Sequence, residues 1–274
     1  MPRRLDAVLL LTVSAFAVFV GAQVVRATSV RAAVHKKPVS ATKALTAPMA
    51  PRMAVQEPTS SGSDSSELST TIVKSALPAP VRDDADIHIR IAAVASGTYM
   101  SDMLDDLNGM LVRWPDRPGQ PLRVWVQDRT DIPDWQAADA QTAQDEIADW
   151  QHSGFPLRFN FVLDSATADI HVIWTDRFPP EAGQRVGSTR RTSDQHGWIA
   201  AAQILVAVHD SGGAVIPPAA LAGIVRHEAG HALGLGHSRD EKTKMFPTEM
   251  VHDIAPADRN TLRLLYSIPP GPLK

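Results

Sequence analysis

The chain has 274 residues, 44% hydrophobic and 21% charged, with a formal net charge of −3. That is the balance of a globular protein long enough for one good-sized core and further segments. The near-neutral charge removes any electrostatic case for a nucleic-acid partner, and the absence of cysteine excludes disulfides and thiolate metal sites.

The first segment reads as targeting sequence. Arg3 and Arg4 precede an uncharged apolar run from Ala7 to Val25, the basic and apolar parts of a secretory signal. Residues 1–26 are therefore expected to be a signal peptide cleaved after Val20-Gly21-Ala22. The alternative is a retained membrane anchor, because the run is almost long enough to span a bilayer. Either way the remainder is expected to be extracytoplasmic, secreted or anchored. Residues 27–83 are dominated by Ala, Pro, Ser and Thr and hold no apolar period. Such a stretch cannot offset its ordering entropy by burial and is expected to be a disordered linker or pro-segment.

Order is expected from Asp84. Ile87, Ile89 and Ile91 alternate with His88 and Arg90, the pattern of a short strand, with a helix as the alternative. From Tyr99 the period changes, and Met100, Met103, Leu104, Leu107, Met110 and Leu111 recur at the spacing of an amphipathic helix. Together these make an N-terminal extension over 84–113. Trp114-Pro115 and Pro118-Gly119 then break the chain. Strands are predicted at 122–127, 157–162 and 168–174. Between the first two, a helix from Pro133 to Gln151 has Ala140, Ala143, Ile147 and Trp150 on its inner face and Gly154 as its stop. A strand, a long helix and more strands imply a crossover with parallel neighbours. Beyond a Pro- and Gly-containing loop at 175–184, a short strand is read at 185–190 and a longer one at 198–206. A helix over 219–233 follows Pro217-Pro218, with Leu221, Ile224 and Val225 on its apolar face.

That helix carries His227-Glu228-Ala-Gly-His231-Ala-Leu-Gly234-Leu-Gly-His237. Residues four apart share a helix face, so His227 and His231 point into one space. Glu228, about 100° further round the helix, reaches the edge of that space without being a ligand. Gly234 suits a helix end where the chain doubles back, which returns His237 to the same point. Three neutral imidazoles with one open position describe a catalytic zinc site and not a closed structural one.

His-Glu-x-x-His-x-x-Gly-x-x-His is the metzincin signature. With Ser238 directly after the third histidine and Met245-Phe246-Pro247 beyond it, the sequence resembles the matrixins, over roughly 114–270. Phe246 stands where family members more often have Tyr. The resemblance implies an α+β or α/β metzincin catalytic domain. Its twisted sheet would have five mostly parallel strands with one antiparallel edge strand, 185–190, and three main helices. The unpaired edge would accept an extended peptide as an added strand. Met245 is implied as the Met-turn residue, with Asp258 bonded beneath it. Phe246, Met250 and Val251 are candidates for the wall of an apolar substrate pocket. Without cysteine, the thiolate latency of many matrixin precursors is excluded. One catalytic Zn2+ is expected. The second, structural zinc lacks its His-Gly-Asp ligand run. For Ca2+ only Asp169 stands in a site position, without the glycine-rich partner loop.

The function expected is a zinc endopeptidase in which metal-activated water attacks the peptide bond and Glu228 serves as general base and then acid. The expected partner is a polypeptide substrate of a monomeric enzyme, with membrane contact only through an N-terminal anchor. Two alternatives keep the same fold: an inactive extracytoplasmic binding module, and a zinc hydrolase of a non-peptide amide.

Overall fold

Strand burial alternates as the sequence pattern requires, and the sheet is built from that alternation. In the computed structural model, which describes residues 68–74, 77–248 and 253–273, a six-stranded sheet is formed by β1 (Leu68–Val73), β3 (Leu122–Val126), β4 (Phe159–Phe161), β5 (Ile170–Thr175), β6 (Gly187–Asp194) and β7 (Ile199–Ala207), in the order β1-β6-β7-β5-β3-β4. All neighbours are parallel except β6 and β7. A two-stranded ribbon pairs β2 (Met110–Leu111) with β8 (Gly271–Pro272). The described residues lie in one compact unit, Pro58–Lys274. Residues 1–26, the linker ahead of Leu68, Met250 and Val251 lie outside the described residues.

Five of the six strands, β3 to β7, are those the sequence pattern led us to expect, and β6 is the antiparallel member. β6 is not the edge, however. β1 pairs alongside it in parallel, with Leu68 opposite Thr189 and Val73 opposite Asp194. This corrects two expectations: order begins before Asp84, and the edge meant for a peptide is occupied by the chain itself. Within β1 only Leu68 is buried, and Ser69 to Thr71 are exposed. The strand exists because its backbone groups satisfy those of β6, a cause that leaves no hydrophobic period to read.

At the isoleucine triplet the favoured strand is replaced by the alternative, a helix. Asp84–Ala93 is a helix, α1, capped by the Asp83 side chain, which accepts from the backbone N–H groups of Ala85 and Asp86. Ile87 and Ile91, four apart, are buried, while Ile89 is 68% exposed. Helix α2 (Met100–Asp106) is shorter than the apolar spacing implied. Asn108 and Gly109 take positive φ of 52° and 73°, which ends the helix and turns the chain into β2. Helix α3 (Ala137–Asp149) starts late because Asp134 has φ of 64°. Its predicted inner face, Ala140, Ala143, Ile147 and Trp150, is buried. Helices α4 (Pro218–Ala232) and α5 (Pro256–Ser267) complete the set. α4 packs on α3, β6 and β7, so the metal-motif helix is fixed between sheet and helix. Among the described residues, no helix is long and apolar enough to cross a membrane.

Candidate active site

Proline in the first turn of α4 costs no hydrogen bond and sets the entry angle. Leu221, Ile224 and Val225 bury its apolar face. The carbonyls at a helix end lack partners within the helix, and here loop backbone N–H groups and three side chains supply them. Arg191 Nη1 donates to the His231 carbonyl at 3.1 Å. Trp114 Nε1 donates to that of Ala232 at 2.9 Å, and the Tyr266 hydroxyl to that of Leu233 at 2.9 Å. Gly234 then reverses the chain with φ of 109°, and a Cβ there would meet the Val112 carbonyl oxygen.

The reversal brings the three imidazoles together. Ring centroids of His227 and His231 are 4.7 Å apart, of His231 and His237 4.7 Å, and of His227 and His237 5.7 Å. One ligand atom from each lies within 4.8 Å of the others. Every ring is held through Nδ1. His227 Nδ1 is 2.8 Å from the Lys244 carbonyl oxygen, His231 Nδ1 is 3.0 Å from that of Leu235, and His237 Nδ1 is 3.3 Å from Asp106 Oδ1. Donation from Nδ1 leaves the Nε2 lone pair as the ligand. Nε2 of His231 is buried without a hydrogen-bond partner. Burial first, then the neighbouring His227 and His237, hold the His231 imidazole well below its ordinary pKa, so it stays neutral as a metal ligand must be. This donor set fits a zinc ion with three imidazole ligands.

Glu228 is 1% exposed. The Thr189 hydroxyl lies 2.6 Å from its Oε2 and 3.0 Å from its backbone carbonyl oxygen. Beside it opens a cavity of ≈ 370 Å³ whose lining includes Arg185, Gly187, Ile224, His227, Pro247 and Thr248. Met245 is fully buried, and a Cβ on Gly230 would collide with its sulfur, so the thioether lies directly against the helix between the first two histidines. Asp258 ties this turn down by accepting from the backbone N–H of Lys244 at 2.8 Å and of Ala255 at 2.7 Å.

Of the residues singled out from the sequence, His227, His231, His237, Glu228 and Met245 converge. Phe246 is half-buried and is not in the cavity lining, where its neighbours Pro247 and Thr248 stand instead. Asp169 is taken by arginines. Arg117 Nη1 donates to it at 3.0 Å, Arg123 Nη2 at 3.0 Å and the Arg123 backbone N–H at 2.8 Å, so both carboxylate oxygens are engaged by arginine. Thr189, Arg191 and Asp106 carry no sequence signal, since a threonine in a strand or an aspartate at a helix end has no signature of its own.

A family model for the matrixins matches residues 125–267. The chain belongs to the matrixin family. No curated protein matches it. Matrixin membership together with the histidine cluster carries a zinc metalloendopeptidase reading at the level of the family. It also accounts for the mixed sheet, whose β3 to β7 largely coincide with the matched residues.

Proposed function

We propose that this matrixin is an extracytoplasmic zinc endopeptidase with His227, His231 and His237 as metal ligands and Glu228 as the proton carrier. The observation that carries the reading is a buried carboxylate, oriented by Thr189, placed between three converging imidazoles and an open cavity. Zinc, when bound, supplies Lewis acidity toward a scissile carbonyl and toward water. The protein supplies the rest. Thr189 donating to Oε2 fixes the plane of the Glu228 carboxylate. Oε1, on the Gly187 side, takes a proton from the attacking water and returns it to the leaving amine, which requires that Glu228 not be a ligand itself. Met245, an apolar thioether, walls the helix from beneath.

The substrate rim differs from the simple expectation. Among the described residues β1 covers β6 from Thr189 to Asp194, while 183–187 borders the cavity. A substrate main chain is therefore received along 183–187, and strand addition further along β6 requires β1 to leave. The extracytoplasmic placement is supported by the apolar run Ala7–Val25 behind Arg3 and Arg4.

The test is Glu228→Ala, assayed on an unfolded polypeptide alongside metal content and circular dichroism. Hydrolysis should fall by at least about 10²-fold while zinc content and fold are kept. Retained activity in a zinc-loaded, folded variant removes Glu228 from the mechanism.

A further inference from the structure

Of the three imidazoles, His237 has the weakest hold from its own element. His227 and His231 lie within α4, and their Nδ1 atoms meet backbone carbonyl oxygens that no side-chain substitution removes. His237 lies in the loop after the helix, and its side chain is 15% exposed. An aspartate 131 residues earlier grips it. Asp106 Oδ2 accepts from the His237 backbone N–H at 2.9 Å, and Asp106 Oδ1 lies 3.3 Å from its Nδ1. One carboxylate therefore grips both the main chain and the ring of the same residue.

Asp106 is the last residue of α2 and falls ahead of the stretch matched by the family model, 125–267. Its helix makes a wider clasp on the same loop. Asp102 accepts from the Arg239 backbone N–H at 3.0 Å, and Asp105 accepts from Arg239 Nη2 at 2.9 Å. These two contacts hold the loop without touching a ligand. From the other side, the buried guanidinium of Arg191 acts on Asp106 through its charge.

We propose that Asp106 is a positioning residue of the metal centre, fixing the tautomer and orientation of His237 and strengthening Nε2 as a donor. A carboxylate accepting from Nδ1–H keeps the proton on that nitrogen, leaves the Nε2 lone pair for the metal and makes the imidazole more basic. The N-terminal extension is then part of the catalytic centre and not an appendage to it. The proposal rests on the zinc reading above.

The test compares full-length protein with Asp106→Asn and with Asp102→Asn, which loosens the same loop without touching His237. Asparagine keeps the shape but has one acceptor oxygen where two bonds are now accepted. Zinc affinity is measured by competition with a chromogenic chelator, and ligand geometry by the visible spectrum of the cobalt-substituted protein. Asp106→Asn should weaken zinc binding about 10–100-fold and shift the cobalt bands, and Asp102→Asn should do neither. An Asp106→Asn protein with the parent's affinity and spectrum overturns the proposal, as does an equal effect from Asp102→Asn. Should the metal-free Asp106→Asn protein not fold, Asp106→Glu replaces it; that variant keeps the charge but displaces the oxygens, and parental affinity and spectrum in it overturn the proposal equally. Failure of the zinc reading looks different: the parent itself takes up no stoichiometric zinc.

Discussion

Asp169 offers a quantitative test of what holds the rear of the sheet together. Its carboxyl would be raised by burial, but hydrogen bonds from Arg123 and Arg117 outweigh that and bring it to about 2. Against an ordinary value of 3.8, each unit of depression is worth about 1.4 kcal/mol of folded-state preference for the charged form. The full difference is therefore a little above 2 kcal/mol. Because the Arg123 side chain is 44% exposed and its share is screened by water, about 2 kcal/mol is the better figure. The sign follows from the depressed folded value. The stabilisation is complete above the unfolded carboxyl's pKa and is lost as pH falls through about 2. Asp169→Asn should thus cost about 2 kcal/mol at neutral pH and about half that near pH 3, where the unfolded carboxyl is mostly protonated and the folded one is not. Urea titrations of both proteins at several pH values measure this directly. A cost that stays constant across the range would show that the arginine pairing is not its source, and stabilisation by added calcium would refute the assignment of this carboxylate to the arginines.

Three further outcomes are expected. Thr71→Pro, which places a residue without an N–H in β1, should raise the rate on long unfolded polypeptides several-fold by uncovering β6; a folded variant with an unchanged rate would show that β1 does not obstruct the substrate. Gly234→Ala should lose about 1–3 kcal/mol, since φ of 109° and the Val112 carbonyl both oppose a Cβ; thermal unfolding of the variant reads this, and a midpoint equal to the parent's would count against the strained turn. Removal of zinc by a chelator should lower the midpoint as well, with about 4 kcal/mol of stabilisation returning when free zinc stands 1,000-fold above its dissociation constant; a midpoint indifferent to metal would contradict the ligand set.

The legible parts of this protein are those governed by local geometry. His227 and His231 share a helix face whatever surrounds them, and Gly234 with His237 announces the return. The inner face of α3 was readable for the same reason. Ile87, Ile89 and Ile91 left strand and helix both open because a two-residue alternation also contains a four-residue spacing, and the Asp83 cap favours the helix. β1 was hidden because main-chain pairing with β6 creates it. Thr189, Arg191 and Asp106 were hidden because their partners are 39, 40 and 131 residues away, and nothing local marks such a contact. Beside the pocket candidate Phe246, the described wall of the cavity is given by Pro247 and Thr248.

Arg191 couples two places that otherwise look separate. Its fully buried guanidinium meets the hydroxyl of the exposed Thr70 at 3.3 Å on one side and the buried His231 carbonyl at 3.1 Å on the other. If β1 were cut away or pulled aside, a cation now shut from water would be bared, and the end of the metal-bearing helix would lose the dry surroundings of one of its anchors. A single side chain therefore links β1 to the carbonyl of the second histidine of the cluster.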